Sequence, residues 1–190
     1  PGGRDNTAGG SFSFAAGRHA KANHNGSFVW GDSTDAGFAS SSDNEFNVRA
    51  SGGVRIVTAT AGISGVSLAP SATSWAVLSD RKTKKNFQPV DGKPVVEKLD
   101  TVPIQRWNYQ WEPDDAVPHI GPTAQDFKGA FYPGRDDKSI STLEFDGVAL
   151  AAIQGLHEMV KEKDQELAAV KGRLARLEEL VRSVRQQEGE

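Results

Sequence analysis

The chain has 190 residues, no cysteine and a net charge of −3. Disulfides and thiolate metal sites are therefore excluded, and the charge balance is wrong for a general nucleic-acid binder. Only 37% of the residues are hydrophobic, which is low for one globular core, and no apolar run approaches the ~20 residues of a membrane helix. An ordered chain of this composition points to an elongated or oligomeric assembly whose core forms between chains. It opens Pro1-Gly2-Gly3 with no Met and no apolar leader, so it is expected to be part of a longer or processed protein, with any export signal outside it.

Residues 1–57 are rich in Gly, Ser, Ala and Asn and carry short apolar strands. Phe14 and Phe28, Ala16 and Trp30, and Gly17 and Gly31 each lie fourteen residues apart. That offset predicts a β-repeat of strand, Gly turn and strand, whose apolar face neighbouring coils or chains must cover. Phe46–Ala50 and Val54–Val57 read as a further strand pair turned by Gly52-Gly53. Residues 58–78 form a connector with apolar Ile63, Val66, Leu68, Trp75 and Val77. Pro70 and its Ser/Thr neighbours disfavour a regular strand at its centre.

Residues 79–145 hold most of the large side chains and read as a small α+β domain. A short helix is predicted through Val95, Val96 and Leu99. A strand is predicted from Ile104 to Trp111, where Trp107, Tyr109 and Trp111 alternate with period two. His119 to Phe127 reads as a strand running into a helix with Phe127 and Phe131 on one face. Residues 146–188 form one long helix, with Asp146 as a candidate cap. Its seam, apolar except for the charged Lys163, runs Ala149, Ile153, Leu156, Val160, Lys163, Leu167, Val170, Leu174, Leu177, Val181, Val184, in alternating steps of four and three. This heptad register is that of a coiled coil, and its mixture of Leu, Ile and Val does not favour a parallel dimer, leaving three or four strands.

The candidate chemistry lies at the start of the α+β segment. Ser79 precedes Lys84 by five residues in Ser79-Asp80-Arg81-Lys82-Thr83-Lys84-Lys85-Asn86-Phe87. Serine is a weak nucleophile until a base takes its proton, and lysine is a base only when neutral. Burial and the flanking cations both favour the neutral amine. The spacing alone does not establish contact, since residues five apart on a straight helix point ~140° away from each other. The same residues also read as a Ser-Asp cap or turn followed by a solvated charge run.

This stretch resembles the opening motif of the peptidase S74 family, the intramolecular chaperone domain of phage endosialidases and tail spikes. The same domain type occurs in bacterial fibre-like proteins and in the myelin regulatory factor. Three further blocks carry the resemblance in order. They are Ile104 to Trp111, the block from His119 to Phe127 with its Gly121-Pro122-Thr123-Ala124-Gln125-Asp126, and Asp146-Gly147-Val148-Ala149-Leu150 leading into the coiled coil. The resemblance implies a domain that trimerises, promotes folding of the β-structured fibre ahead of it, and then cuts itself off. It implies scission at Leu78–Ser79, Ser79 as nucleophile and Lys84 as general base. Asp80 either orients the loop, tunes Lys84 or caps the following turn. His119 is either a rival base or a structural histidine, and Gln125 either a supporting polar group or a structural one.

The Ala15-Ala16-Gly17-Arg18-His19-Ala20 and Phe28-Val29-Trp30-Gly31-Asp32 units are similar to coils in the heads of trimeric autotransporter adhesins. The resemblances thus imply a homotrimer on a virion tail fibre or a bacterial surface, with its own upstream segment as folding client. The sequence leads to no nucleic-acid partner, no membrane segment, no cofactor and no metal; His19 and His24 lack accompanying ligands. The competing reading is a non-enzymatic trimeric adhesin with the coiled coil as a permanent stalk.

Overall fold

Small residues and Gly turns let the first fifty residues wind into stacked coils. The computed structural model describes residues 2–60, 64–133 and 136–187, so Ile63 and the expected helix end at residue 188 lie outside the described residues. It divides into two units, Pro1–Asn86 and Phe87–Glu190.

In the first unit, β1 (Gly3–Arg4), β3 (Phe14–Arg18), β5 (Phe28–Gly31) and β7 (Phe46–Arg49) form one parallel sheet. A second parallel sheet holds β2 (Thr7–Ala8), β4 (Ala20–Ala22) and β6 (Phe38–Ala39). Gly3 pairs with Gly17, Phe14 with Phe28 and Gly17 with Gly31, so the fourteen-residue offset is the pitch of a β-solenoid. The next coil is longer: Phe28 pairs with Phe46 and Ala20 with Phe38, an offset of eighteen. Alternation along the strands turns Ala15 and Val29 inward onto Ala20 and Ala22, a thin core that Phe38 closes. Outward, Phe14, Phe28 and Phe46 stack with ring centroids 5.0 and 4.7 Å apart. Gly17 has φ +90°, and a Cβ there would lie 1.7 Å from the Gly31 carbonyl oxygen, so only glycine permits this coil spacing.

The longer coil is tied down by Arg49. Its guanidinium reaches Asp32 at 3.3 Å and donates to the carbonyls of Ala36 (2.9 Å), Thr34 (3.2 Å) and Arg18 (3.3 Å). Asp32 also accepts from the Ser51 amide at 2.6 Å and the Thr34 amide at 3.1 Å. Hydrogen bonds from the Ser51 side chain and amide, then from the Thr34 side chain and amide, hold the Asp32 carboxyl well below the usual carboxylate range.

A separate antiparallel sheet follows, ordered β10 (Ala76–Val77), β9 (Gly65–Leu68), β8 (Val54–Val57). The expected pairing of Phe46–Ala50 with Val54–Val57 is therefore corrected. The turn exists, with the Gly53 amide bonded to the Ala50 carbonyl at 2.8 Å. However, β7 continues the solenoid on β5, where Phe46 stacks on Phe28, while β8 pairs with β9. In the connector, strands form on both sides of a turn at Ala69–Ala72 that contains Pro70.

In the second unit, α1 (Gly92–Asp100) starts at an Asp91 cap and crosses α3 (Thr142–Gln187) at a Gly-on-Gly contact. A Cβ on Gly155 would fall 2.3 Å from the Gly92 carbonyl carbon and oxygen. A Lys93–Glu162 pair at 2.6 Å reinforces the crossing. β11 (Gln105–Trp107) and β12 (His119–Gly121) make a two-stranded antiparallel sheet. α2 (Ala124–Phe131) begins at Thr123, whose hydroxyl accepts from the Asp126 amide. The fully buried Phe127 packs against Phe131, Tyr132 and Phe145, and the buried Lys128 pairs with Glu144 at 2.5 Å.

Two expectations change here. The strand ends at Trp107, because the chain turns back at Tyr109–Glu112, with the Tyr109 amide held by the Glu112 carboxylate at 2.7 Å. Asp146 is not a cap: α3 starts at Thr142, and Phe145 N already donates to Ser141 O at 3.0 Å. Ser141-x-x-Glu144 is the earlier start signal. Along α3, Val148, Ala152 and Gly155 are buried, whereas Ile153, Leu167 and Leu174 of the heptad seam are 61%, 50% and 54% exposed in the single chain.

Candidate functional site at the Ser79 loop

Strand β10 ends at Val77, and the chain continues through Leu78 and Ser79 to Asp80, extended at φ −65°, ψ 129°. A 3₁₀ turn follows over Arg81–Thr83, and Lys84 returns to extended backbone at φ −109°, ψ 152°. This path brings Lys84 Nζ to 2.6 Å from Ser79 Oγ, with the ammonium donating to the hydroxyl. Both residues are exposed. A cavity of about 230 Å³ opens beside Ser79, lined by Ile56, Val66, Val77, Leu78 and Ser79 among others. Leu78 and Ser79 therefore sit at the rim of the β8–β10 sheet, one and two residues past an edge strand.

The loop sits within the first unit by contacts, whose division falls at Asn86. Leu78, Ser79, Asp80 and Lys84 are brought together there. Asp80 caps the turn, its carboxylate accepting from the Lys82 amide. His119 and Gln125 belong to the second unit and are engaged locally. His119 Nε2 meets Glu112 at 3.0 Å and its ring stacks on Trp107 at 4.7 Å. That contact, with the Tyr109 amide, lowers the Glu112 carboxyl below its ordinary range. Gln125 is exposed in the first turn of α2 and, with Trp107, Tyr109 and Lys138, lines a cavity of about 530 Å³. Thr83, which grips the Asp80 carbonyl through its hydroxyl at 2.8 Å, is a participant that the sequence reading passed over. An Asp followed three residues later by Thr was the available signal.

Among the described residues, no cluster of His, Cys, Asp and Glu is placed to hold a metal, and no helix is long and apolar enough to cross a membrane. No curated protein and no solved structure matches the chain. Residues 79–133 match the peptidase S74 family, described as chaperone of endosialidase. The match begins at the serine that Lys84 contacts and runs through β11, β12 and α2. The segment spanning residues 79–133 thus belongs to the chaperone-of-endosialidase family.

Proposed function

We propose that this chain is the end of a trimeric fibre joined to a chaperone that cuts itself free between Leu78 and Ser79. The observation that carries the reading is the 2.6 Å contact of Lys84 Nζ with Ser79 Oγ at the first residues of the S74 segment. In the neutral form, Lys84 accepts the Ser79 hydroxyl proton. Ser79 Oγ then attacks the carbonyl carbon of Leu78, its own preceding residue, a unimolecular step with high effective molarity. The Leu78–Ser79 amide breaks, the freed Ser79 amine takes a proton, and an ester links Leu78 to Ser79 Oγ. Water hydrolyses that ester to the Leu78 carboxylate and the Ser79 hydroxyl. Because Ser79 and Lys84 are exposed in the single chain, neighbouring chains of the trimer supply the water exclusion that favours the neutral amine.

The exposed heptad seam of α3 supports three parallel chains, as does the uncovered Phe14–Phe28–Phe46 ladder on the solenoid. Helix association sets chain number and register before the non-local β-pairing of the fibre begins. Scission then removes the template and traps the fibre kinetically. The place of action is a virion tail fibre or a cell surface, and the boundary of release is 78/79.

The test is a denaturing gel of the expressed chain with N-terminal sequencing of the products. Fragments of residues 1–78 and 79–190 are expected, and Ser79→Ala and Lys84→Ala should each leave one full-length band. Continued scission of Ser79→Ala at the same bond would sink the mechanism. A wild-type chain that stays whole as a trimer favours the permanent-stalk adhesin instead.

A further inference from the structure

The five-residue step from Ser79 to Lys84 sets a geometric problem: both side chains must reach one point. As an extended strand the step would span ~16 Å, beyond a lysine side chain's reach, and as an α-helix the two side chains would point ~140° apart. The chain takes a third course, a single 3₁₀ turn between two extended residues. Two side chains hold that turn. Asp80 Oδ1 accepts from the Lys82 amide at 2.9 Å, and the Thr83 hydroxyl donates to the Asp80 carbonyl at 2.8 Å. The same carbonyl accepts from the Thr83 amide at 3.1 Å, and the Lys84 amide closes on the Arg81 carbonyl at 3.2 Å. All these contacts lie within the loop itself, on residues exposed to solvent.

We infer that Asp80 and Thr83 are positioning residues for the Ser79–Lys84 pair, acting as a clamp that folds the loop so that the lysine amine meets the serine hydroxyl. The inference rests on the dyad reading above. Neither side chain takes part in the Ser79–Lys84 bond, so their effect is on the fraction of time the pair is formed. Asp80 works as a hydrogen-bond acceptor at a cap. Its negative charge is not the useful property, because the base must act as a neutral amine and a carboxylate charge does nothing to favour that form. An Asn side chain caps about as well as Asp, which separates the two roles.

The experiment follows self-cleavage of the full chain over time, across a range of pH. Asp80→Ala should slow scission at Leu78–Ser79 about fivefold, the effect of losing a cap. Thr83→Val, which keeps the shape and removes the hydroxyl, should slow it by about the same factor. Asp80→Asn and Thr83→Ser should recover most of the rate. The pH midpoint of cleavage should be the same in all four variants, because the clamp alters loop population and not the titrating pair. Asp80→Ala and Thr83→Val cutting at the wild-type rate overturns the clamp. Asp80→Asn as slow as Asp80→Ala, or with its midpoint displaced by about one pH unit, overturns the capping role in favour of charge. Scission of Ser79→Ala or Lys84→Ala at the same bond removes the dyad and the clamp together, and those two controls tell that failure apart from the others.

Discussion

The contact between Gly92 and Gly155 allows a stability prediction with an internal control. A Cβ added at Gly155 would stand 2.3 Å from the Gly92 carbonyl carbon and oxygen and 2.9 Å from its Cα. Ordinary carbon contacts are ~3.5–4.0 Å, so α1 must move outward, and backbone cannot yield as a flexible side chain does. Gly172 lies on the same helix with nothing within 4 Å of its would-be Cβ. There, Gly→Ala gains about 1 kcal/mol of helix propensity. At Gly155 the same gain is opposed by about 1–3 kcal/mol of overpacking. Gly155→Ala should therefore fall about 1–3 kcal/mol below Gly172→Ala, and the loss should extend to the Lys93–Glu162 pair that the crossing holds. Far-UV circular dichroism during urea unfolding reads the difference. It is best made in the Ser79→Ala background, so that one species is present, and at one protein concentration. If Gly155→Ala is as stable as Gly172→Ala, the close crossing of α1 on α3 is wrong.

Three other outcomes follow from the same structure. Leu167→Asp or Leu174→Asp removes a seam side chain worth about 1.5–3 kcal/mol when buried. If the chain forms the proposed trimer, sedimentation should show it lost, and an unchanged assembly would mean the association lies elsewhere. Phe127→Ala, at the fully buried centre of α2's packing, should destabilise the second unit by about 3–5 kcal/mol in urea unfolding. Asp32 titrates below its ordinary value because hydrogen bonds from Ser51, side chain and amide, and from Thr34 hold its anion. Its contribution to solenoid stability is thus present above the unfolded carboxyl value of about 3.9 and is lost as pH falls through the lower folded value. Asp32→Asn should make hydrogen-exchange protection of the Asp32–Ser51 coil less sensitive to acid. An acid response as steep as that of the wild type would show that this carboxylate is not the sensor.

Much of this architecture was legible in the residues because it is periodic. The fourteen-residue spacing of Phe14 and Phe28 is a strand register, since identical coils stack identical side chains. The long helix α3 shows in the alternating steps of four and three, because only a helix returns apolar residues to one side at that spacing over such a length. The Ser79–Lys84 pair was visible as residue types, and the family motif gave it a place.

What the sequence left undecided depends on contacts between parts distant along the chain or on competing local bonds. Whether Val54–Val57 pairs backwards with β7 or forwards with β9 is a choice between two sheets, and the stacking of Phe46 on Phe28 takes β7 away. The strand at Trp107 stops early because one carboxylate, Glu112, captures the Tyr109 amide. Gly92 and Gly155 look like unremarkable helix glycines until the helices cross on them. Residue identity and spacing determined the repeats, the long helix and the candidate nucleophile and base. Tertiary structure decided which strand pairs with which, which stripe of α3 is covered, and that a five-residue loop turns tightly enough to bring Lys84 onto Ser79. Periodicity is a property of one element and survives in sequence, whereas a crossing or a turn is settled only when separate groups compete for the same space and the same hydrogen bonds.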